Sequence, residues 1–196
     1  MLRSAWILLF IFVLCRLVEA AAPEDPHLTV ILYNDAAIPG PVLKKTKEVV
    51  QKIYQDAGIV LVWKDHSDSR AGMSQFFVRI VSRSLNLPGD DFGIAFVGTD
   101  GQGVQADVFY SGIERLANNT PANPGEIAGH VIAHELGHLL LGMNSHSNLG
   151  IMQAHWTDRQ LRQMSMGVLK FDKRQSEIIG ARLLGVHAGE GELRGY

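Results

Sequence analysis

The sequence predicts a single α/β domain, a twisted and mostly parallel sheet of five strands followed by helices. Three observations carry that expectation. A strand–helix–strand pattern opens the folded part of the chain, more apolar strand runs follow, and from Asn123 the pattern turns helical.

"LTVILYN" (28–34) is nearly unbroken in apolar character, the pattern of a strand covered on both faces. In the "PGPVLKKTKEVVQKIYQDAG" that follows, Val42, Val49, Val50, Ile53 and Tyr54 recur at helical spacing, and Gly58 is a stop signal. "IVLVWK" (59–64) is a second strand, so residues 28–64 read as a βαβ unit with a parallel pair. "QFFVRIV" (75–81) is a third strand. "GIAFVG" (93–98) and "VQADVFY" (104–110) are a fourth and fifth, separated by the turn-rich "TDGQG".

Asn123 then caps a helix that has Pro124 at its first position and Glu126 three residues after the cap, a capping-box arrangement. This helix is expected to run to Leu141 and stop at Gly142. Thr157 with Gln160 opens another helix, and Asp172 with Gln175 opens a last one ending near Gly185. The tail, 186–196, is too poor in apolar residues to pack and is expected to be flexible.

The first twenty residues stand apart from this domain. Arg3 makes a basic start, Ala5 to Cys15 form an apolar run of 11 residues, and Val18-Glu19-Ala20 offers small residues for cleavage, so 1–20 reads as a secretory signal peptide. The run is well short of the ~20 residues of a spanning helix, so no stable membrane insertion is expected after cleavage. The domain is then expected over 21–185, and its location is expected to be extracytoplasmic. Cleavage removes the only cysteine, which leaves a chain without disulfides. Lys plus Arg falls from 18 to 16 and Asp plus Glu from 20 to 19, a net charge of −3. No clustered basic charge marks a nucleic-acid surface.

The chemistry lies on the long helix, in "HELGHLLLGMNSHSNLGIM" (134–152). His134 and His138 are four residues apart, so one turn of helix brings both imidazoles to one face and within reach of one ion at ~2.0–2.1 Å. Glu135 projects about 100° from His134, so it flanks such an ion as a base for an attacking water. His130 and His138 are about 12 Å apart along the axis, too far to share an ion, which leaves His130 a core or supporting role. Beyond Gly142 the chain can fold back, and His146 then approaches from another direction, as tetrahedral coordination requires. Asn144 offers only a neutral amide. His155 could close the site if the loop folds otherwise, and Glu177 would close it from a later helix.

These residues resemble the signature of the metzincin zinc endopeptidases, HExxHxxGxxH followed by a methionine turn. The likeness covers "HELGHLLLGMNSHS" and continues into "GIM". It departs from the pattern after His138, where Leu141 and Asn144 occupy the family's glycine and third-histidine positions, while Gly142 and His146 come one and two residues late. Met152 lies 14 residues after His138, a separation similar to the matrixin branch. The resemblance implies a Zn2+ cofactor held by His134, His138 and His146, Glu135 as catalytic base, and Met152 packed beneath the histidines. It also implies an upper edge strand, Gly93, Ile94, Ala95, Phe96 and Val97, that pairs with an extended peptide, and it puts His155 and Trp156 on the cleft wall. The activity implied is hydrolysis of internal peptide bonds in a peptide or protein substrate. Two alternatives stand beside it: an inactive secreted zinc-binding protein of the same fold, and a gluzincin-like peptidase with Glu177 as third ligand.

Overall fold

The strand runs assemble in an order that puts one short strand at the margin, facing the long helix. The computed structural model describes residues 25–64, 75–83 and 92–185, so the expected signal segment and tail lie outside the described residues. β1 (His27–Asn34) buries Leu28, Val30 and Ile31, which covers both of its faces at its centre, as its apolar run predicts. α1 (Gly40–Asp56) crosses over to β2 (Val60–Lys64), which lies parallel to β1 with Leu28 opposite Leu61. β3 (Gln75–Val81) pairs parallel with the other side of β1, and β5 (Gln105–Phe109) pairs parallel with β3. Arg79 and Asp107 face each other across β3 and β5; Nε donates to Oδ1 at 2.9 Å and Nη2 to Oδ2 at 2.5 Å. β4 (Gly93–Ala95) runs antiparallel to β5, giving the order β2-β1-β3-β5-β4.

Two sequence expectations change here. The fourth strand covers three residues and not all of "GIAFVG". Phe96 N–H still donates to Gln105 O, but the chain then turns, with Gly98 N–H donating to Gln102 O at 2.7 Å. The second change is a helix, α2 (Tyr110–Ala117), that starts where the fifth strand was expected to continue. Phe109 provides no side-chain cap, so this helix has no start signal of the kind that marks the three later helices. It forms because Tyr110 and Ile113, three residues apart, bury together against the core.

α3 (Pro124–Leu141) begins at the predicted capping box: Glu126 N–H donates to Asn123 Oδ1 and Asn123 N–H to Glu126 Oε2, each at 3.0 Å. It ends at Gly142, whose φ of 70° is the left-handed conformation that closes a helix. Fifteen of its eighteen residues are buried, because it lies between the sheet, α1 and the later helices, so any polar side chain on it needs a partner. α4 (Asp158–Ser165) and α5 (Lys173–Leu183) follow as expected. Gln160 Oε1 accepts from Thr157 N–H before the first, and Asp172 and Gln175 make a full capping box before the second. Among the described residues no helix is long and apolar enough to cross a membrane.

Candidate metal centre

Burial on α3 makes its histidines unusual before any ion is considered. His134, Glu135 and His138 are 7%, 6% and 5% exposed, on a helix whose other buried residues are Ile, Val, Leu, Ala and Gly apart from His130. Main-chain carbonyls from the returning chain hold both rings. His134 Nδ1 donates to Ile151 O at 2.8 Å, and His138 Nδ1 donates to Met143 O at 2.9 Å. Those two bonds set the tautomer and leave each Nε2 with a lone pair. The Nε2 atoms are 3.0 Å apart, and two lone pairs so placed do not bond each other. They converge as ligands of one cation do, since nitrogens ~2.0–2.1 Å from a tetrahedral ion lie only slightly farther apart. Burial also pushes the His134 pKa down to about 4 and lowers that of His138, so both rings are neutral and able to ligate near pH 7.

His146 reaches the same point from the loop. Its ring centroid is 5.3 Å from that of His134 and 4.9 Å from that of His138. Ligand atoms of all three lie within 4.8 Å of one another, the one such group among the described residues. Partial burial and then the charge of nearby His155 lower the pKa of His146. Neutral imidazoles from two directions fit a zinc ion, whose preferred nitrogen ligands and tetrahedral geometry they match.

The loop that carries His146 is tied down at several points. Ser147 N–H donates to Met152 O at 2.8 Å and Ile151 N–H to Lys170 O at 3.0 Å. Trp156 Nε1 donates to Ile151 O, the same carbonyl that holds His134, and its ring stands edge-on to His134 at 5.6 Å. Met152, 1% exposed, packs under the helix at Gly137. A Cβ on Gly137 would lie 2.6 Å from the Met152 sulfur and 2.9 Å from Phe171, so only glycine lets the methionine this close.

Glu135 meets the sheet margin. A Cβ on Gly93 of β4 would lie 2.8 Å from both Cγ and Oε1 of Glu135. The carboxylate therefore occupies a notch in the edge strand made by a missing side chain. Gly93, Ile94 and Ala95 join Phe92, the three histidines and Glu135 around one cleft of about 760 Å³. Asn144, Gln153, His155 and Trp156 line the same cleft.

Other sequence candidates lie elsewhere. Phe96 and Val97 are past the end of β4 and outside the cleft lining; Phe96 is exposed and Val97 packs toward the core. Glu177 faces solvent on α5 and pairs with Lys173 at 3.7 Å, so it does not join the histidines. His130 is buried and its Nδ1 donates to Glu126 O at 2.8 Å. It borders a separate cavity of about 350 Å³, on whose wall Lys45 pairs with Glu126 and Lys52 with Asp56. Sequence reasoning missed the carbonyls of Ile151 and Met143, which no residue type announces, and the fit of Gly137 to Met152 and of Gly93 to Glu135. An unexplained glycine within each element was the only available signal.

No family model matches the chain, and comparison with curated proteins finds no match. Solved structures do match. The crystal structure of archaemetzincin from Methanopyrus kandleri aligns at a TM-score of 0.55 and 19% identity, over 83% of this chain and 98% of that one. A zinc-dependent peptidase from Methanocorpusculum labreanum aligns at 0.54 and 13% identity, over 76% and 99%. At these identities the likeness is one of fold, and it extends over almost the whole of both structures.

Proposed function

We propose that the protein is a zinc-dependent endopeptidase. One observation carries the reading: three imidazoles converge on one point beside a buried carboxylate, in a cleft bounded by a sheet edge. The fold shared with two structures described as an archaemetzincin and a zinc-dependent peptidase supports it. We extend the reading to a metzincin arrangement with a lengthened path to the third ligand, in which His134, His138 and His146 hold the ion and Met152 supports them. Zinc held there supplies a Lewis acid that lowers the pKa of water to about 7 and polarises the scissile carbonyl.

The remaining work falls to the chain itself. Glu135 takes the proton of the attacking water and passes it to the leaving amine. An extended peptide adds along β4, where Gly93–Ala95 offer main-chain groups and the Gly93 notch brings the substrate backbone past Glu135. His155, on the same cleft, supplies a further donor to the carbonyl oxygen. The reading includes export from the cytoplasm, on the strength of the basic start and apolar run in residues 1–20.

The test is Glu135→Gln, with zinc content measured beside cleavage of a peptide library. The variant is expected to keep stoichiometric zinc and lose about 10²–10⁴-fold in kcat/KM. Wild-type cleavage that chelation leaves intact, or that the variant matches, would defeat the proposal. Stoichiometric zinc with no cleavage by the wild type would instead favour a binding protein of this fold.

A further inference from the structure

Arg182 lies far from the histidines in sequence and on a different helix, yet it meets the point where the metal loop begins. Its Nη2 donates to Gly101 O at 2.8 Å and to Gln102 Oε1 at 3.1 Å, both on the turn between β4 and β5. Its Nη1 lies against Gly142, where a Cβ would come within 2.6 Å. Gly101 and Gly142 also touch each other. A Cβ on either would lie 3.0 Å from the carbonyl oxygen of the other. One guanidinium therefore joins three segments: α5, the turn that carries the cleft-lining strand, and the C-terminus of α3. A cation is favoured at that helix end, where the helix dipole is negative.

The consequence for the site follows from what Gly142 controls. His138 O accepts from both Gly142 N–H and Met143 N–H, at 3.0 and 3.2 Å, so the chain reverses within two residues. Met143 O then holds the His138 ring, and His146 follows three residues later. A shift at Gly142 thus moves the carbonyl that orients one imidazole and the stem that carries another. The turn at Gly101 is held by the same side chain, so one guanidinium touches both the turn beside the cleft wall and the start of the ligand loop.

We infer that Arg182 is a positioning residue for the metal site, fixing the reversal at Gly142 so that His138 and His146 meet one ion. This rests on the metal-binding reading above. Its geometry belongs to this chain's longer path from His138 to His146, which an anchor at the start of the loop would steady. Groups that orient metal ligands typically contribute 10–100-fold in affinity when removed.

The experiment titrates metal-free protein with Co2+ and Zn2+, in wild type, Arg182→Ala, Arg182→Lys, His146→Ala and the Arg182→Ala/His146→Ala double variant. Circular dichroism and the metal-free Tm are recorded for each. Arg182→Ala is expected to raise the Kd about 10–100-fold and alter the Co2+ absorption bands while its dichroism stays native. Arg182→Lys, which keeps the charge but not the fork, is expected to fall between. The double variant is expected to bind more weakly than His146→Ala by less than the loss that Arg182→Ala causes alone, because the arginine acts partly through the loop that carries His146. A folded Arg182→Ala with wild-type Kd and spectrum, or losses that simply add, would overturn the inference and leave the proposed function standing. A flat titration of the folded wild type would instead overturn the proposed function, and the inference with it.

Discussion

The two sources of imidazole differ in how they are held. On α3, the spacing of His134 and His138 is a property of helix geometry, and burial with two carbonyl bonds leaves the rings little freedom. On the loop, His146 is exposed and reaches the cluster only because Gly142 reverses the chain and the segment is tied at Ser147 and Ile151. In the proposed metal site the helix sets the bite, and the loop completes it. Ligand affinity should therefore be graded, with the helix histidines as a preorganised pair and the loop histidine depending on everything that shapes its approach.

The sharpest way to break this contrast is to remove one ligand of each kind. His138→Ala should lose both metal and activity, since it destroys the preorganised pair. His146→Ala should lose activity but keep a weak site on the remaining two rings, measurable by Zn2+ competition as a Kd at least tenfold tighter than that of His138→Ala. Equal affinities in the two variants would erase the distinction.

A smaller effect is expected from the contact of the sheet edge with Glu135, the proposed base. Gly93→Ala puts a methyl where Glu135 Cγ and Oε1 lie, so the carboxylate must move. Activity is expected to fall roughly tenfold or more, on the scale of misplaced catalytic groups, while zinc content stays full. Loss of zinc instead would mean that the strand supports the ligands and not the base.

The smallest effect is on stability against acid. His134 has a pKa of about 4 in the folded protein against an ordinary 6.5, and burial also lowers His130. Between those values the unfolded chain binds protons that the folded chain refuses, so stability is complete above about 6.5 and declines as pH falls toward 4. Urea midpoints of chelated protein should drop across that window, and His130→Gln should flatten part of the slope. A midpoint independent of pH there would show that the buried rings are protonated as easily as free ones.

How far these features were legible beforehand depended on their range. The capping box at Asn123, the stop at Gly142 and the shared face of His134 and His138 are interactions within a few residues, and each was readable. α2 was not, because its start has no capping side chain and its apolar spacing merges with the strand before it. The fourth strand was overestimated because "GIAFVG" stays apolar past Ala95, whereas the turn closed by Gly98 and Gln102 ends the strand. Glu177 illustrates the converse: a carboxylate of suitable type and place in the sequence order faces solvent beside Lys173.

The amino-acid order by itself determined the helix, its caps, the two imidazoles on one face and the carboxylate between them, because a 3.6-residue period leaves no choice about who neighbours whom. Only the tertiary structure decided that His146 joins that pair while Glu177 does not, that Gly93 makes room for Glu135, and that Arg182 meets Gly142. The first depends on the path of the loop after Gly142; the other two join residues far apart along the chain, and their distances follow from how the sheet, α3 and α5 pack together and not from any local preference.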